Sequence, residues 1–206
     1  MRLRSALVLP ALVVVHTVVW GVALHASPFS FPPRTIAAQY LSSLVLVILS
    51  TNLLLATRAR PLESAFGGLD KMFASHRIDG IAAASAIVFH VLIVPLTTPL
   101  FPGRALGLTT LALIEGSVLL ATAPRAPWRR LLDIPYQTWK AEHGFMGVFV
   151  ALGAIHSMLV PTLLRPLPLL AEHGIEWIVE FPSQHLFFLS AHAVWEVDRG
   201  RRKARA

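Results

Sequence analysis

The sequence predicts an all-α membrane protein, a bundle of six transmembrane helices with both termini cytoplasmic, and three observations carry that prediction. The 206 residues are 55% hydrophobic and only 14% charged, with a mean hydropathy of +0.64, a balance outside that of ordinary soluble domains. Five segments, at about 5–25, 36–57, 75–99, 104–122 and 142–163, each approach the ~20 apolar residues that a helix needs to cross the hydrocarbon core. The net charge of +7 sits in short clusters between those segments, which reads as membrane orientation and not as nucleic-acid binding. The chain has no cysteine, so disulfides, thiolate-held clusters and thiol catalysis are excluded. A metal would have to be held by histidine, carboxylate or backbone.

The first segment follows Arg2 and Arg4 and runs to about Ala26. It is longer than the ~7–15-residue core of a secretory signal, and His25 and Ala26 before Ser27 make a poor cleavage site, so it reads as the first span. Pro32 and Pro33, Pro102 with Gly103, and the stretch from Pro124 to Pro127 punctuate the connections. A sixth segment, about 174–195, carries Glu176, Glu180, Pro182, His185 and His192, and hydropathy alone does not settle it. Charge does. With six spans, fifteen basic residues fall on one side and three (Arg34, Arg104 and Arg165) on the other; without the sixth, the division is ten to eight. The positive-inside rule selects six, in one domain over residues 1–206.

Four histidines stand out inside this frame. His76 and His90 are fourteen residues apart in the third span, and His143 and His156 thirteen apart in the fifth. Ionisable side chains inside membrane spans are costly and mark pathways or sites, and imidazole is a common axial ligand of haem iron. The two spans run in the same direction, so His76 and His143 share an inner depth, and His90 and His156 an outer one. At ~1.5 Å per residue the two rises are about 21 Å and about 19.5 Å, as two stacked cofactors bridging the same helices would require. Fourteen residues return within ~40° of the starting face, whereas thirteen leave an offset of about 140°. A bulge, a bend, or haem planes rotated relative to each other must absorb that offset, and Gly144, Gly147 and Gly153 make a local distortion easier. Gly80 and Gly147 follow the inner histidines by four positions, and Ala86 and Gly153 precede the outer ones by a turn. Such residues leave room for a flat macrocycle, although they also serve helix packing. The plainer alternative is a set of interfacial or hydrogen-bonded structural histidines.

With those residues in place, the chain resembles the ferric reductase-like transmembrane domain shared by ferric reductases and NADPH oxidases. The matching stretches are NLLLATRARPLESAFGGLDKMFASHRIDG, continuing to His90, and YQTWKAEHGFMGVFVALGAIH, ending at His156. The resemblance covers roughly residues 36–165. It implies two haems b, the inner on His76 and His143 and the outer on His90 and His156. It also implies an integral, multi-pass cytochrome b-like protein of the bacterial plasma membrane. The family's reductases continue into a flavin and nicotinamide module, whereas no GxGxxG loop occurs here. The expectation is therefore a component of an oxidoreductase rather than a complete enzyme, and no catalytic residue is assigned.

The expected activity is electron transport from a cytoplasmic donor, such as a flavoprotein, to an outside acceptor: ferric iron, oxygen, a quinone or a partner reductase. Haem propionates would look to Arg58, Arg60, Arg77 and Lys140 on the inner side, and to Arg104 and Arg165 on the outer; for each, the orientation signal is an alternative explanation. Glu115 in the fourth span and His16 in the first lie at comparable depth, as a pair, a proton carrier, or plain bundle hydrogen bonding. His185 and His192, with Glu176 and Glu180, read as polar packing in a water-accessible groove, with a third metal site as the alternative, and Trp128, Tyr136 and Trp139 as interfacial anchors. The competing class is a haem-free transporter or scaffold whose histidines and glutamate serve protons or metal ions.

Overall fold

The computed structural model describes residues 5–26, 32–94, 102–122 and 135–164. Among them there are helices and no strand: α1 (Ser5–Ala26), α2 (Pro33–Ala56), α3 (Arg60–Phe66), α4 (Leu69–Ile93), α5 (Pro102–Thr122), α6 (Tyr136–His143) and α7 (Met146–Leu164). Three are long and apolar enough to cross a membrane, over Pro33–Ala56, Leu69–Ile93 and Gly103–Thr122, and the apolar stretch Ala6–Val22 of α1 is shorter. The sixth segment at about 174–195, with His185 and His192, lies outside the described residues, as do Trp128 and Arg165.

Large apolar side chains lie exposed on the outward helix faces, while several polar groups are buried among the apolar core residues. On α1, Leu7, Val14, Val15, Val18 and Val22 are exposed while His16 is buried. On α4, Ile78, Ile81, Phe89 and Leu92 face outward while Ser75 and Asp79 are completely enclosed. In water the exposed apolar face forfeits hydrophobic burial; against hydrocarbon it is the favourable arrangement, because lipid accepts that face.

The chain divides into two compact units, within Met1–Leu96 and within Thr97–Arg165. In the first, α2 and α4 form the main antiparallel pair, with α1 packed on both and α3 on α4. Leu55, Phe66 and Met72 make a small core at one end, with Val8, Leu62 and Leu69 against it. The link from α2 to α4 is tightly specified. The Thr57 hydroxyl donates to the Leu54 carbonyl at 2.7 Å and accepts from Ala59 N–H at 3.2 Å, and Arg58 takes the left-handed region at φ 55°. Pro61 opens α3, where its missing N–H costs nothing. Gly67 closes α3 at φ 73°, with the Gly68 N–H bonded to the Glu63 carbonyl at 3.0 Å, a Schellman stop. Gly68 then enters α4 at φ 128°. The sequence reading placed the third span at 75–99; α4 begins six residues earlier because this paired-glycine turn starts it.

In the second unit, α5 packs against α7 and α6 against α5. The expected single fifth span over 142–163 is two helices. α6 ends at His143, and Gly144 N–H is shared between the Lys140 and Ala141 carbonyls, each at 3.2 Å. Phe145 N–H bonds to Glu142 three residues back at 2.8 Å. The regular helix is thus interrupted between His143 and His156. Tightened turns advance the chain by about 120° per residue in place of about 100°, which shortens the offset between His143 and His156.

Gly68→Ala forces a side chain into a backbone conformation reserved for glycine, at a cost of about 1–3 kcal/mol. Thermal unfolding in detergent should show a clear loss of stability, and an unchanged melting temperature would contradict this account of the turn.

Candidate functional site

The four histidines sit two to a unit. His76 and His90 both lie on the uninterrupted α4, one in its second turn and one in its last. His143 is the final residue of α6, and His156 lies in the middle of α7. All four are partly buried.

Three of the four rings are held the same way. His76 Nδ1 donates to the Asn52 carbonyl at 3.3 Å, and His90 Nδ1 to the Ala38 carbonyl at 2.9 Å, both on α2. His156 Nδ1 donates to the Gly103 carbonyl on α5 at 2.6 Å. A carbonyl can only accept, so Nδ1 carries the proton in each case, and the neutral ring has its lone pair at Nε2. This is the state that metal-ligating histidines adopt, with one nitrogen donating to a backbone acceptor and the other turned to the metal. The fourth ring, His143, is stacked on Trp139 one turn earlier, with centroids 5.4 Å apart and planes 18° apart.

Each anchor is built by its helix partner. On α2, Ala38 and Asn52 are fourteen residues apart, the same interval as His90 and His76 on the antiparallel α4. The lower contact is reciprocal, since Asn52 Nδ2 donates to the His76 carbonyl at 3.1 Å. It depends on Gly80, where a Cβ would lie 3.2 Å from Asn52 Nδ2. In the second unit, a Cβ at Gly107 would come within 2.6 Å of His156 Cε1 and 2.9 Å of both ring nitrogens. Gly107 is therefore the floor on which the His156 ring lies.

The polar residues around these rings add several features that the sequence reading did not single out. Asp79, one turn after His76, is fully buried, and neither carboxylate oxygen has a hydrogen-bond partner among the described residues. Leaving such a group unpaired in an apolar setting is costly. The signal was present in the sequence, as a carboxylate inside an apolar helix and three positions after a candidate ligand. Ser117 donates to Glu142 Oε1 in a short hydrogen bond, while Glu142 Oε2 and Glu115 Oε1 are buried without a partner among the described residues. His16 Nε2 meets the Ser43 hydroxyl at 3.1 Å. That hydroxyl also bonds to the Gln39 and Tyr40 carbonyls, and Trp20 and Tyr40 flank the His16 ring. His16 is thus committed to packing α1 on α2. Of the basic residues weighed for propionates, Arg58 lies over the Phe73 ring at 4.9 Å, and Arg60, Arg77 and Lys140 are exposed. No three histidines or carboxylates gather into a metal-holding group among the described residues.

The described residues form a helical protein with three helices long and apolar enough to cross a membrane and three imidazoles whose Nδ1 is held by a neighbouring backbone carbonyl. No protein-family model matches the chain, and no curated protein matches it.

Gly107→Ala drives a methyl into the His156 ring and should destabilise the second unit by the ~1–3 kcal/mol typical of overpacking. Gly116→Ala on the same helix meets nothing within 4 Å and should be neutral or slightly stabilising. Equal melting temperatures for the two variants would show that Gly107 is not a steric floor.

Proposed function

We propose that this protein is a di-haem b-type membrane cytochrome, a ferric reductase-like electron-transfer subunit. In this reading it moves electrons from a cytoplasmic donor to an acceptor on the outer side. The chain crosses the plasma membrane six times with both termini in the cytoplasm. His76 and His143 hold the inner iron, and His90 and His156 the outer. The observation that carries the reading is the shared orientation of His76, His90 and His156, whose Nδ1 atoms are bound to backbone carbonyls. The same Nδ1 anchoring recurs at both ends of α4 and again on α7, which supports a role for Nε2 as the ligating nitrogen in each ring.

Haem would supply a reversible one-electron iron couple. The chain's part is binding and tuning. The carbonyl bonds fix ring orientation and raise the basicity of Nε2. Gly107 leaves the His156 ring the space to lie flat against α5. The apolar outer faces of α1 and α4 hold the site in lipid and away from water. A cytoplasmic flavoprotein fits the donor role, and ferric iron, oxygen, a quinone or a dedicated partner reductase fits the acceptor role.

A second reading is favoured by the unpartnered carboxylates of Asp79 and Glu142: a haem-free transporter that passes protons or cations along its intramembrane acids.

The two readings part on a spectrum. Protein purified from haem-replete cells should carry a Soret band that shifts on dithionite reduction. His90→Ala or His156→Ala should remove about half of the haem, and His76→Ala or His143→Ala the other half. A colourless protein, or unchanged haem content in all four variants, would overturn the cytochrome reading.

A further inference from the structure

Arg34 is one of only three basic residues on the outer side in the six-span arrangement, so the orientation rule works against it and a local reason is needed. The structure supplies one. Arg34 lies in the first turn of α2, and its guanidinium reaches the far end of α4. Nε donates to the Ile93 carbonyl in a short hydrogen bond, and Nη2 to the Val94 carbonyl at 3.5 Å. The last carbonyls of a helix have no partners within it. Arg34 satisfies two of them at the C-terminal end of α4, where the helix dipole also favours a cation. Val94 N–H closes the turn on the His90 carbonyl at 2.9 Å.

His90 stands in this same last turn. Its anchor, the Ala38 carbonyl, lies one turn beyond Arg34 on α2. The two helices are therefore joined by two rungs a turn apart: Arg34 to the end of α4, and His90 to Ala38. Helix termini fray when their end groups are unsatisfied, and a loosened last turn would change both the height and the rotation of the His90 ring. We infer that Arg34 is a positioning residue for His90, clamping the end of α4 so that the ring holds the orientation needed by an outer-level axial ligand. Lysine is no substitute, because the clamp uses two nitrogens of one planar fork, whereas an ammonium is a single point donor.

The inference rests on the cytochrome reading, and the test separates the two. Arg34→Gln and Arg34→Lys are made in the full chain, purified in detergent, and compared with the parent protein. Haem stoichiometry is read from the pyridine haemochrome, and ligand orientation from the low-spin ferric signals in electron paramagnetic resonance. Arg34→Gln should lose at least half of the outer haem while the inner haem stays, the retained haem reporting that the chain has folded. Arg34→Lys should keep both haems but shift the g-values of only one. Two haems with both signals unchanged in Arg34→Gln would overturn the inference. So would equal loss of both haems in Arg34→Lys, which marks a general structural role. A parent protein without haem would instead sink the cytochrome reading itself.

Discussion

The structure depends on one kind of contact: an imidazole N–H given to the backbone carbonyl of a neighbouring helix. Inside a membrane every polar group must find its partner within the protein, so a histidine ring there is either anchored or costly. α2 serves as the rail for α4. It offers carbonyls at Ala38 and Asn52, fourteen residues apart, to rings at His90 and His76 with the same interval. Gly103 does the same for His156 at the start of α5. These bonds engage Nδ1 and fix the ring, so the packing of the helices and the orientation of the imidazole are set by the same contact.

Glycines make those anchors possible. Gly80 lets Asn52 approach α4 closely, and Gly107 lets the His156 ring lie against α5. Gly67 and Gly68 act differently: their positive φ values end one helix and start the next within two residues, which sets where α4 begins and so how deep His76 sits. A side chain at any of these positions would act on a histidine that it does not resemble chemically.

Much of this was legible in the sequence. Apolar runs of the right length gave α1, α2, α4 and α5 within a few residues at most ends, because spanning helices leave the clearest mark in hydropathy. Gly144 marked a point of easy distortion between His143 and His156, and the helix does break at Gly144 and Phe145. The acceptors of the rings were not legible, since a backbone carbonyl has no letter in the sequence and Ala38, Asn52 and Gly103 are remote from their histidines. Asp79 was legible only in part: its place three positions after His76 was in the sequence, but it stands in a charged run before the apolar core, and its complete burial is what separates it from that flank. Arg34 was counted merely as a charge on the sparse side, although its two bonds to the end of α4 are specific.

The central claim is that Nε2 atoms, presented by rings anchored through Nδ1, are the groups that meet iron. Pulsed electron paramagnetic resonance on oxidised protein labelled with 15N-histidine measures this directly. The account predicts two low-spin ferric centres per chain, each coupled to two equivalent histidine nitrogens. Iron coupled to one histidine or none, or a labelled protein without any ferric signal, would contradict it.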